Sequence, residues 1–288
     1  MKKYCVLLMA SLFAFASCED VFSGGEGDLS TSDIVKGLKT ALNIGTDSSV
    51  AMLSAANGYF GDQAVKILLP QEAQYVQEKL EQLEGIPFFS SASGAITGKM
   101  DDLVLAINRS AEDAAKDAAP IFSNAITNLS IVNGLEILNG KVPSDLKSAE
   151  AFDSLAATKY LKSQTYDELV KAYSPKVNQA LDKKIAGNAS ANSLWNDVVG
   201  RWNGLMETYE SSTTALAAVK LLEATTGKSL NLHEVNTNLG EYTTGKALDG
   251  LFVKVGNQEK EIRKNPFQWA SDIIQKVFGS VAGLLASN

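Results

Sequence analysis

"LGEYTTGKALDGLFVKVGNQEKEIRK", residues 239–264, decides the fold. Leu248, Phe252, Val255 and Ile262 recur at three- and four-residue spacing, the period of a helix with one buried face. Asn238 stands ahead of the stretch as a cap and Pro266 closes it, so the sequence predicts one long helix over 239–264. At 100° per residue, Glu259 falls about 20° from Phe252, on the apolar stripe itself. A carboxylate on a core face needs a partner, and Arg263 is one turn away. Two readings stay open. Glu259 and Arg263 are a packing ion pair that fixes helix register, or they line a pocket together with Asp249.

The same stretch nearly spells a phosphate loop. "GEYTTGKA" (240–247) follows G-x-x-x-x-G-K-[ST] until Ala247, which replaces the hydroxyl that would hold Mg²⁺. No apolar strand precedes it, since Asn236-Thr237-Asn238 is polar. The plain reading is a capped helix start, with Lys246 pairing with Asp249 on the surface.

Helical spacing extends in both directions. Ser30-Thr31-Ser32-Asp33 offers caps ahead of Ile34, Val35, Leu38, Ala41 and Leu42, with Asn43-Ile44-Gly45 as a stop and a second helix from Thr46 toward Ala56. Residues 58–70 read as a loop with an extended apolar segment closed by Pro70, and 71–84 return to helix. From about 94 to 139 runs an alanine-rich helical region with Ile96, Met100, Leu103, Ile107, Ala111, Ala114 and Ala118 on one stripe. Pro120 kinks or restarts it, and its small residues suit a central helical hairpin. Asn108, Arg109 and Glu112 form a polar cluster off that stripe, expected to be solvated or to touch another helix, with a ligand role as the alternative. Shorter helices are expected over 145–162, 165–173 and 175–186. Trp195, Val198, Trp202, Leu205 and Tyr209 mark a further core face, and a last helix runs over 267–278. The expected fold is all-α, a single multi-helix bundle-like domain with at most one short extended segment near 64–69.

The chain opens Met1-Lys2-Lys3 and runs apolar from Cys5 to Ala16. A basic head on a short apolar run is an export signal, too short for the roughly 20 residues of a membrane span. Phe15-Ala16-Ser17-Cys18 resembles a bacterial lipobox, in which the cysteine is acylated and becomes the new N-terminus, although Phe15 stands where Leu is usual. The competing reading cleaves after Ala14-Phe15-Ala16, before Ser17, and leaves Cys18 a free thiol. Acylation is the better fit, because an exported thiol without a partner is unusual. The expected plan is a lipoprotein signal peptide at 1–17, an acidic, Gly-rich tether at 18–29, the helical domain at 30–279 and a tail at 280–288. A tether of about eleven residues reaches roughly 18 Å root-mean-square.

Losing the leader removes two lysines and no acids, leaving 24 basic residues against 33 acidic, a balance of −9. A chain this acidic, with no Lys/Arg block, is a poor match to nucleic acid. Cys5 leaves with the leader and His233 is the sole histidine, which excludes disulfides, His-rich metal sites and Ser-His or Cys-His catalysis. No metal and no cofactor is expected, and His233, in the polar stretch Asn231-Leu232-His233-Glu234, reads as a loop residue.

Several phrases carry a family likeness: "DIVKGLKTALNIGTDSSV" (33–50), "VKILLP" (65–70), "INRSAEDAAKDAAPIFSNAI" (107–126), "AATKYLKSQTYDELVKAYSPKV" (156–177), "YTTGKALDGLFVKVGNQEKEIRKNP" (242–266) and "VFG" (277–279). The chain resembles the bacterial envelope lipoprotein family catalogued as domain of unknown function 4197, over nearly all of 30–279. The resemblance implies a helical domain of a Gram-negative envelope and assigns no catalytic residue. The expectation is therefore a lipid-anchored structural or protein-interaction module, held in the outer membrane by acylated Cys18, with an envelope protein as partner. The alternatives are a binder of a small apolar or lipidic ligand within the helices and, third, a hydrolase built on two converging carboxylates.

Overall fold

In the computed structural model, residues 29–142, 152–185, 187–236 and 238–282 are described. Every regular element among them is a helix. The signal peptide, Cys18 and nearly all of the tether lie outside these residues, as does most of the segment ahead of 156 expected to be helical.

Helix α1 (Thr31–Leu53) starts at a capping box: the Ser30 hydroxyl accepts from the Asp33 amide, and the Asp33 carboxylate accepts from the Ser30 amide. The expected stop at 43–45 does not occur. Gly45 is buried against α10 (Leu239–Lys264), where an added Cβ would stand 3.4 Å from Gln258 Cβ. One interior glycine costs a helix only about 1 kcal/mol, and packing on α10 overrides it. The α10 helix keeps the boundaries its sequence announces, with Asn238 Oδ1 accepting from the Glu241 amide.

The centre of the molecule is α10, flanked by α1 and by α7 (Ala156–Leu181). Helix α7 replaces the separate short helices expected up to residue 186. Pro175 lies inside it, and Tyr173, Val177, Ala180 and Leu181 are all buried around that proline. The alanine-rich region is not the central hairpin. It breaks into α3 (Pro87–Thr97), α4 (Met100–Ala115), α5 (Ala118–Asn128) and the short α6 (Gly134–Leu138). Its predicted stripe, Ile96 through Ala118, is buried throughout. Pro120 restarts the chain in the first turn of α5, where its missing N–H is not needed.

Around this centre α4 packs on α7, α5 on α1 and α7, and α11 (Asp272–Gly279) on α1. Helix α2 (Gln71–Gln82) adjoins α3, α8 (Ala191–Ser211) covers α3 and α4, and α9 (Thr213–Thr226) rests on α8. A single 3-10 turn, Pro266–Gln268, links α10 to α11, which begins later than the expected 267. The loop from Ser54 to Pro70 drives Tyr59, Val65 and Ile67 into the core.

Candidate functional site

The two polar clusters picked out in the sequence prove to be the most deeply built polar features of the fold. Glu259 and Arg263 are 2% and 1% exposed. Glu259 accepts from the amides of Ala157 (3.0 Å) and Thr158 (2.7 Å), in the opening turn of α7. Those amides have no partner within their own helix, and the N-terminal end of α7 carries partial positive charge, so a carboxylate serves both needs. Arg263 donates through Nε to Glu259 at 2.9 Å. Its other nitrogens donate to the carbonyls of Leu138 (2.6 Å) and Ile137 (2.9 Å), at the C-terminal end of α6. The guanidinium also lies 5.4 Å from the centre of the Phe278 ring. One ion pair thus joins α6, α7, α10 and α11.

Asp249 does not join this pair. It is half exposed and pairs with Lys162 of α7 at 2.7 Å, not with Lys246 as the sequence suggested. No pocket of Asp249, Glu259 and Arg263 forms, because ten residues of helix separate Asp249 from Glu259 by about 15 Å along the axis.

Asn108 and Glu112 are buried, not solvated. Their partner is the backbone of the 57–67 loop rather than another helix. Asn108 Oδ1 accepts from the Ile67 amide (2.9 Å), while Nδ2 donates to the Ile67 carbonyl (2.7 Å) and the Val104 carbonyl (2.7 Å). The expected extended segment begins with a turn through Val65 and has no neighbouring strand among the described residues, and the Asn108 amide supplies at Ile67 the two bonds that one would give. Glu112 Oε1 accepts from the amides of Tyr59 (3.2 Å) and Phe60 (3.1 Å). Arg109 donates to Glu112 at 2.6 Å and to Asn57 Oδ1 at 2.9 Å. Asn57 has φ 67°, a left-handed turn that Asn tolerates.

Each cluster uses one device: a buried glutamate, an arginine one turn away, and two successive amides of another segment. Both are fully occupied by the fold, and neither presents a free oxygen to a cleft. Among the described residues no group of three or more His, Cys, Asp or Glu side chains is placed to hold a metal.

Residues that the sequence did not single out complete the loop's seat. Tyr59 donates to the Ala247 carbonyl at 2.7 Å, and Asp62 pairs with Lys254. The hydrogen bond from Lys254 holds the Asp62 carboxyl below its usual value. Burial pushes the phenols of Tyr59 and Tyr173 well above theirs. The aromatic pair between glycines, Gly58-Tyr59-Phe60-Gly61, was the one signal available for this anchor. His233 is a loop residue, stacked on Tyr75 with ring centres 4.2 Å apart.

A surface groove of about 720 Å³ lies between the start of α2 and the start of α10, lined by residues including Lys66, Leu68, Gln71, Tyr242 and Lys246. It contains Lys246 of the near-Walker stretch but no member of either buried cluster. No helix among the described residues is long and apolar enough to cross a membrane.

No curated protein and no solved structure matches the chain. Residues 28–279 match the family model described as protein of unknown function (DUF4197), and the chain belongs to that family.

Proposed function

We propose that this chain is an exported lipoprotein of a Gram-negative envelope, held at a membrane, the outer one by preference, through acylated Cys18. Its helical domain serves as a structural or protein-interaction module. The observation that carries the reading is the order of parts. A basic, apolar head ends in Phe15-Ala16-Ser17-Cys18, a Gly-rich acidic stretch follows, and a capped helix opens the domain at Ser30. The buried acids support a module over an enzyme, since Glu112 and Glu259 are spent on holding segments together. A carboxylate-dependent hydrolase needs two acids open to one cleft, and these two are closed in separate places. A small-ligand reading rests on the groove beside α2 and α10, whose lining mixes polar and apolar side chains.

The test is metabolic labelling with an alkyne fatty acid. Wild type takes up the label and fractionates with membranes, whereas Cys18→Ser does neither. A mature wild-type chain that carries a free thiol and stays in the soluble fraction would sink the proposal.

A further inference from the structure

The first helix begins at one end of the bundle, and several elements converge there. A Cβ on Gly134 would stand 3.1 Å from Ile34 Cγ2, which places the start of α6 against the first turns of α1. Arg263, near the end of α10, bonds to the carbonyls of Ile137 and Leu138. Lys276 of α11 pairs with Asp33 at 2.8 Å. Phe267, three residues past α10, lies over Gly279 of α11.

This end also carries large apolar side chains turned outward. Val132 is 79% exposed, Phe267 68% and Leu135 57%. Scattered exposed apolar residues are ordinary, but here three surround the point from which the chain leaves toward Cys18. Two of the acids here are already paired, Asp33 with Lys276 and Asp153 with Lys159. Trp269 is half-buried beside them, and indole and phenyl rings favour the interfacial layer of a membrane.

We propose that this end of the bundle rests on the lipid bilayer, with Val132, Leu135 and Phe267 entering its interfacial layer. The inference rests on the anchoring of Cys18, because the chain running from that residue enters the described domain at this end. Contact adds to the anchor and fixes the orientation of the domain, leaving the opposite end facing away. That opposite end holds Leu68, whose carbonyl accepts from Tyr242, and exposed Leu221 of α9, near Glu223, which accepts from the Leu230 amide in the chain leading into α10. Tyr242 and Lys264 are separated by about 33 Å of helix.

The acylated chain has no free thiol, so one introduced cysteine is a unique labelling site. Val132→Cys, Leu135→Cys, Phe267→Cys, Leu68→Cys and Leu221→Cys, each in the full chain, are labelled with an environment-sensitive fluorophore. They are then reconstituted in phosphatidylethanolamine–phosphatidylglycerol vesicles containing brominated acyl chains. Labels at 132, 135 and 267 should lose emission, and those at 68 and 221 should keep it. Equal loss at all five positions, or none at 132, 135 and 267 in protein whose mass shows the acyl groups, overturns the resting face and leaves the anchor intact. A mass without acyl groups overturns the anchor, and this inference with it.

Discussion

Glu259→Gln is the sharpest perturbation this fold offers. The substitution keeps the shape of the side chain and one acceptor oxygen, and it removes the charge that balances Arg263. Arg263 is 1% exposed, so it cannot recover water without opening the contact among α6, α7 and α10. Breaking a buried pair from one side costs about 3–5 kcal/mol. The new amide also turns N–H groups toward the Ala157 or Thr158 amide, or toward the guanidinium, so the loss belongs in the upper part of that range. For a domain of this size each kcal/mol lowers Tm by about 2–4 °C, giving a drop on the order of 10 °C. Urea unfolding followed by far-ultraviolet circular dichroism should show a lower midpoint at unchanged slope. Arg263→Met alone should cost less, because Glu259 keeps its two amides at the start of α7. The double variant Glu259→Gln/Arg263→Met should fall short of additivity by about 1–3 kcal/mol, since neither single charge is then left stranded. An additive double variant, or a loss below about 1 kcal/mol for Glu259→Gln, would refute the idea that this pair is a desolvated cross-link.

Asn108→Leu should cost about 2–4 kcal/mol by leaving the Ile67 N–H and C=O unpaired, and hydrogen exchange should quicken at the Ile67 amide before the rest of the core. Gly250→Ala should destabilise by about 1–3 kcal/mol, because its Cβ would meet Tyr59 Cε1 at 2.7 Å. Gly204→Ala, in the interior of α8 with nothing within 4 Å, should instead stabilise by about 0.5–1 kcal/mol; thermal melts of the two variants check the sign of each. Burial raises the Tyr59 and Tyr173 phenols, so they should not form tyrosinate in the folded chain where exposed tyrosines do. The unfolded chain ionises these phenols from about pH 10, so folded stability should fall as pH rises above that value. Tyrosinate absorbance during an alkaline titration should therefore show a late rise that coincides with unfolding.

The long helix at 239–264 was legible because its cap, its period and its closing proline all agree. Gly45 misled because a locally weak point in α1 is carried by a contact with Gln258 and Val255 of α10, far away in sequence. Pro175 misled for a similar reason, with the buried residues on either side keeping α7 continuous through it. The Glu259–Arg263 pair could be read from one helix, since both members lie on its buried stripe. Asn108 and Glu112 could not, because angles taken from the alanine stripe assume that α4 has a single buried face. A second face of α4 meets the backbone of the 57–67 loop, and backbone amides leave no pattern in a sequence. The Lys162–Asp249 pair was hidden in the same way, as its members come from different helices.

The packing of α1 against α10 also sets when the molecule can take shape. Helix α1 finds its broadest partner only once residues 239–264 have been made, so most of the polypeptide is synthesised before its interior can close. A nascent form lacking the final segment can cover α1 with α5 and α6, but the side of α1 that meets α10 and α11 stays bare.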